Sequence, residues 1–230
     1  MPRLGNRGTT RGPHAVRRLG NRRGLIAILV VLFGACVGIA HGFAAEGQRR
    51  YEDGPLTTAD FRGDVPADAP GDAFTRTQLQ FDFRYRYQQL PGGRATVTVT
   101  EVTVDAYVLQ DQSWNRKPGN VTLLEHEQGH ADNAWIQCLK ARLFFDQKRR
   151  RGWKVSASSL DEATDRLRDE LTVKMKVFEE EGLEADVRYD RDTKHGLGPL
   201  QAELRRVQVA TIQELEAEWQ QRTVDGRRRP

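Results

Sequence analysis

The clearest pattern in the chain begins at Leu79, where Leu79, Phe81, Phe83, Tyr85 and Tyr87 alternate with Gln80, Asp82, Arg84 and Arg86. Strict period-two alternation over this length predicts a half-buried strand. Pro91-Gly92-Gly93 reads as a turn, and residues 94–109, rich in Val and Thr, as a second strand. Its apolar positions are odd at Ala95, Val97 and Val99, then even at Val102, Val104, Ala106 and Val108. A change of phase near Glu101 predicts a β-bulge, because one extra residue swaps the faces that follow. The pair reads as an antiparallel hairpin. Its first strand is either an inner strand or an edge that pairs with an extended peptide.

After a polar loop from Ser113 to Asn120 the spacing becomes helical over about residues 121–148. Ser159-Leu160-Asp161-Glu162 is a capping box opening a second helix, with Leu160, Ala163, Leu167, Leu171, Met175 and Phe178 at helical spacing until Gly182. Residues 183–198 read as an irregular stretch that ends at Pro199, a favoured first helical position. The last helix carries Leu200, Leu204, Val207, Leu215 and Trp219 on one side. The expected fold is α+β: a small antiparallel sheet packed with about three helices, spanning residues 55–222. Residues 46–54 are expected as a linker and residues 223–230 as a solvated basic tail.

Length and charge refine this. The 230 residues suffice for one domain and a targeting segment, and 38% hydrophobic residues exclude wholesale disorder. The net charge of +4 is misleading, because residues 1–45 hold seven arginines and no acid. Beyond them, 29 basic residues face 32 acidic ones, so the basic footprint of a nucleic-acid binder is missing. Residues 1–24 are Arg- and Gly-rich, and residues 25–40 are sixteen apolar or small residues in a row, the shape of a secretory leader. Three fates fit it: cleavage after Gly42-Phe43-Ala44, retention of residues 25–40 as a signal anchor, or acylation at Cys36. Each exports residues 46–230 to the periplasm or beyond, with the membrane touched only through the leader. Cys138 is the single thiol outside it and reads as a buried one.

The chemistry lies in His126-Glu127-Gln128-Gly129-His130, an HExxH sequence on the first long helix. Residues four apart on a helix lie about 40° apart and one turn up, so both imidazoles reach one metal ion. Zinc suits such donors, and Glu127 beside it can take a proton from the zinc-bound water as that attacks a carbonyl. A chance HExxH arises in roughly one such chain in a hundred, so placement matters. On a helical wheel Glu127 falls on the arc of Leu123, Ala131, Ala134, Trp135 and Cys138, where an idle carboxylate is costly. A third ligand comes from His195, the only other His outside the leader, or from Glu179, Glu180, Glu181 or Glu184. Tyr189 either donates to an oxyanion or packs. Asp190 and Asp132 either hold a ligand imidazole by its second nitrogen or simply cap and solvate.

The chain resembles a bacterial family of uncharacterised exported proteins described as predicted secreted zinc-dependent proteases. The resemblance rests on Leu56-Thr57-Thr58-Ala59-Asp60-Phe61-Arg62-Gly63, Ser113-Trp114, Leu123 to Asp132, Tyr189-Asp190-x-x-Thr193-x-His195-Gly196, and Gln213 with Trp219. Thr58 stands where the family has Trp, and Ala131 where it has Phe. The resemblance implies a zincin-like metallopeptidase acting on peptide or protein substrates, with His195 as third zinc ligand. The competing reading, from another class, is a non-catalytic, zinc-stabilised envelope module that binds a partner. Glu127 separates the two, since a binding module has no use for a carboxylate beside the metal.

Overall fold

A computed structural model of the chain describes residues 46–69 and 71–227, with side chains described through Val224. The expected leader, with Cys36, lies outside the described residues, as does the end of the tail from Arg228. Among the described residues no helix is long and apolar enough to cross a membrane. The described part is α+β, three long helices against a small antiparallel sheet.

The hairpin forms as its pattern predicts. Strand β3 (Thr77–Gln89) pairs with β4 (Ala95–Leu109) across the Pro91–Gly93 turn. The register runs from Thr77↔Val108 to Arg84↔Glu101 and then jumps to Tyr85↔Val99, which leaves Thr100 as the extra residue of a bulge. The bulge explains the phase change: Val97 and Val99 before it and Val104 and Ala106 after it are all buried in one core. The other edge of β4 is shared by β1 (Gln48–Arg50) and β6 (Lys154–Ala157), both antiparallel. So β3 lies at the edge of its sheet, not inside it. A small second sheet joins β2 (Ala73–Phe74) to β5 (Trp114–Asn115).

Residues 46–54, expected as a linker, are therefore part of the fold. Residues 48–50 pair with β4, and the Tyr51 ring stacks on Trp135 with centroids 4.9 Å apart. The free edge of β4 offers backbone donors and acceptors that such short segments satisfy. Strand β6 was not evident in the sequence because its alternation lasts only four residues, with Val155 and Ala157 facing the core.

Helix α1 (Val121–Arg150) starts at Asn120, whose side chain accepts from the Leu123 N–H at 3.1 Å. It lies between the sheet and the other two helices, so every residue from His126 to Leu139 except Gln128 is buried. Helix α2 (Leu160–Thr193) is capped by Ser159 as expected but does not stop at Gly182. Gly182 sits inside it, and a Cβ there would lie 3.4 Å from Gln137 Cγ on α1. This glycine is interior to α2, at ordinary contact distance from α1, and does not end the helix. The irregular stretch shrinks to residues 194–200, with Lys194 and His195 in the left-handed region.

Helix α3 (Gln201–Arg227) continues through most of the expected tail, and Leu204, Leu215 and Trp219 lie half-buried on its inward side, with Leu215 packed against the core. Leu200 and Val207 are exposed, while Gln201, Gln208 and Ile212 are buried. The reason is polar. Gln208 Nε2 donates to the Gly129 carbonyl (3.0 Å) and to Asn133 Oδ1 (2.7 Å), and Gln201 Nε2 donates to the Thr122 carbonyl (2.9 Å). The α1 surface under α3 presents amides and carboxylates, so α3 meets it with side-chain amides.

Candidate metal centre

On α1, His126 and His130 project from successive turns, with their rings perpendicular and 5.0 Å apart. The C-terminal turns of α2 supply what faces them. Asp190 Oδ1 lies 3.0 Å from His126 Nε2 and 3.1 Å from His130 Nε2. These three side chains bring one ligand atom each within 4.8 Å of one another, a group that could hold a metal ion.

The far nitrogens fix the tautomers. Asp186 Oδ1 accepts from His130 Nδ1 at 3.0 Å. Thr193 Oγ1 gives its hydrogen to the Tyr189 carbonyl at 2.6 Å, so at 3.3 Å from His126 Nδ1 it accepts. Both Nε2 lone pairs are thereby turned onto a carboxylate oxygen, an arrangement that requires positive charge at its centre. Protons supply it in one way: burial alone would lower the His130 pKa, but the Asp186 and Asp190 carboxylates outweigh it and push it up to about 10. Burial would likewise raise Asp190, yet hydrogen bonds from His126 and His130 hold it well below the usual carboxylate range. A cation at the same point supplies that charge in the other way.

Glu127 is 2% exposed and lines the same cleft as the two imidazoles. Thr75 Oγ1 donates to its Oε2 at 2.6 Å. Burial raises its pKa, opposed by the charges of His130 and His126 and by the Thr75 hydrogen bond. Thr75 is placed by the Ser113-Trp114 pair: Ser113 Oγ accepts from the Arg76 N–H (2.9 Å) and donates to the Leu109 carbonyl (2.8 Å). The Leu56–Gly63 segment is latched to the same helix, its Leu56 N–H donating to Gln128 Oε1 at 2.6 Å.

The structure assigns the remaining expected residues as follows. His195, expected as third ligand, lies outside the group of three; its side chain is 73% exposed, with Nδ1 3.4 Å from Asp190 Oδ1. It reaches Asp190 because the backbone at Lys194 and His195 is left-handed (φ 50° and 52°) and Gly196 (φ 86°) passes close to His126. A Cβ on Gly196 would lie 3.1 Å from that of His126, so only glycine suits this turn. Asp190, expected behind a ligand, is in front. Asp132 holds no imidazole; buried, it accepts from Tyr51 (3.0 Å), Gln128 (2.7 Å) and Arg205. Of the rival glutamates, Glu179 and Glu180 line the cleft, but none joins the group. Asp186, Thr193 and Thr75 were missed as site residues. Spacing on α2 (186, 190, 193) would have shown the first two had that helix been read through Gly182, whereas Thr75 meets Glu127 only through the fold.

Tyr189 packs. Its ring stacks on His126 at 4.9 Å and stands edge-on to His130 at 5.5 Å, and its buried hydroxyl has no hydrogen-bond partner. It rests against the bare backbone of Gly129, where any Cβ would collide with the ring. Gly129→Ala should therefore unseat Tyr189 and cost about 1–3 kcal/mol of stability. Tyr189→Phe should melt no lower than wild type, since the lost hydroxyl is unsatisfied. Thermal unfolding of both variants checks this, and a strongly destabilised Tyr189→Phe would show that the hydroxyl has a partner. No protein-family model matches the chain, and no match is found among curated proteins or solved structures.

Proposed function

We propose that the chain is an exported zinc-dependent metallopeptidase. The observation that carries this reading is Glu127, a buried carboxylate in the same cleft as His126, His130 and Asp190. Two imidazoles and one carboxylate form a donor set that zinc takes in catalytic sites, with a position left open. The hydrogen bonds to both Nδ1 atoms are the support such ligands use to keep their orientation. His126, His130 and Asp190 would hold the ion, with His195 steadying Asp190. The zinc would supply a Lewis acid beside water and the scissile carbonyl. Glu127 then acts as general base through the oxygen that Thr75 does not occupy.

The surroundings suit an extended peptide. The cleft is open, about 1460 Å³, and runs from β2 and the start of β3 to the cleft-facing side of α2. The Arg76 carbonyl accepts from the Leu109 N–H, so Arg76 faces β4 and the backbone groups of Thr75 and Thr77 turn the other way. Strand β3, the edge of its sheet, begins at the cleft and offers main-chain pairing to a substrate. The leader pattern in residues 1–45 supports action outside the cytoplasm.

Stripping the full chain of metal with a chelator should abolish hydrolysis of a mixed peptide library, and zinc, but not Mg²⁺ or Ca²⁺, should restore it. Hydrolysis that survives metal removal would sink this reading. Tight zinc binding without any hydrolysis would instead favour the envelope binding module.

A further inference from the structure

Seven residues beyond His130, and about 10 Å along α1, Gln137 lies on the cleft floor. It is 4% exposed, and its Oε1 is buried with no hydrogen-bond partner. A buried amide oxygen without a partner costs on the order of a whole hydrogen bond, so the amide gains by turning to meet a donor. Nothing in the chemistry of the metal centre uses it. The approach is kept open by small residues: Ala134 one turn back on α1, and Gly182 directly across on α2. Leu79, Phe178 and Leu183 add apolar lining.

The rim is acidic. Glu179, one turn before Gly182, lines the cleft and makes no ion pair among the described residues, whereas Glu180 lies 3.7 Å from Lys176. Partial burial and the neighbouring Glu180 raise the Glu179 pKa, so a cation arriving beside it would relieve repulsion. An apolar passage with a carboxylate at its mouth and an amide oxygen at its base matches one kind of group: an aliphatic stem ending in a cationic donor.

We propose that this pocket is a specificity site for a Lys or Arg side chain of the substrate, its stem between Phe178 and Leu183, its charge shared by Glu179 and Gln137. At about 3.3 Å per extended residue the pocket lies two to three residues from the bond that is cut. A half-turn of the terminal torsion lets the Gln137 amide present its oxygen to the incoming donor. The proposal rests on the peptidase reading for its substrate, but the pocket can be tested without cleavage.

The probes are peptides identical except for Lys, Arg, norleucine or Glu at one position, scanned along the sequence. Hydrolysis is followed with the zinc-loaded full chain, and binding by calorimetry with its zinc-loaded Glu127→Gln form. Lys or Arg at one position, two to three residues from the cut, should raise kcat/KM and affinity about tenfold to a hundredfold over norleucine. Gln137→Leu and Glu179→Gln should each reduce that ratio at least severalfold. Glu179 is exposed, so its variant guards against a folding effect at Gln137. Equal use of Lys and norleucine at every position overturns the proposal, as does a Lys preference that survives in both variants. Lys-selective binding lost in Gln137→Leu, with no cleavage by wild type, upholds the pocket while the peptidase reading falls. Neither cleavage nor selective binding overturns both.

Discussion

Glu127→Gln should lower peptide hydrolysis by about 10²–10⁴-fold while zinc content and fold are retained. Gln has nearly the shape of Glu, and its amide oxygen can accept from Thr75 as the carboxylate does at 2.6 Å. The buried contact is therefore kept. What is lost is the capacity to take a proton from the attacking water. Asp190, the other carboxylate facing both imidazoles, would be a zinc ligand and so would not serve as the base. Zinc alone lowers the pKa of water to about 7, which leaves a residual rate but a small one. Removing a charge from a site only 2% exposed also relieves a desolvation cost, so the variant should melt no lower than wild type. Steady-state rates on a peptide library at matched zinc content test this, with thermal unfolding alongside. Equal rates in the two proteins would remove Glu127 from the role of base.

The second large effect is on zinc itself. His126→Ala and Asp190→Ala should each weaken zinc binding by at least about 10³-fold, since each deletes one of three donors that converge within 4.8 Å. His195→Ala should weaken it only about 10–100-fold, the cost of losing a residue that steadies a ligand. The difference follows from position. Asp190 Oδ1 is about 3 Å from both Nε2 atoms, whereas the exposed His195 ring meets the site only through that same oxygen. Competition titrations with a chromogenic chelator give the ranking directly. If His195→Ala proves more damaging than Asp190→Ala, His195 is the third ligand, as the resemblance of its motif implies.

The Tyr189-to-Gly196 motif is one physical unit. Tyr189 stacks on His126, Asp190 faces both imidazoles, and Thr193 holds His126 Nδ1. Gly196 lets the chain turn back beside His126, which brings His195 to Asp190. Gly129 within HExxH belongs to the same unit, because it makes room for the Tyr189 ring.

Local pattern alone determined a good deal here. The hairpin, its bulge and the first helix follow from periodicity, and so does the burial of Glu127, because all depend on interactions between near neighbours. The pairing of His126 with His130 is local for the same reason. Contacts between distant segments decided the rest. Gly182 reads as a helix end in sequence, yet α2 runs through it, packed against α1 near Gln137. Extending α2 to Thr193 turns the expected loop around Asp190 into helix and sets Asp186, Asp190 and Thr193 on the side that meets α1. That is why Asp190, not His195, stands third in the donor group. On α3 the spacing picked out Leu204, Leu215 and Trp219 but not the buried Gln201 and Gln208, because hydrophobic spacing cannot show that part of the partner surface presents amides and carbonyls. Thr75 reaches Glu127 across 52 positions, and no periodicity carries a contact of that span. Helical and strand periods report how one element divides between core and solvent; which groups two elements bring together at a site depends on how those elements pack.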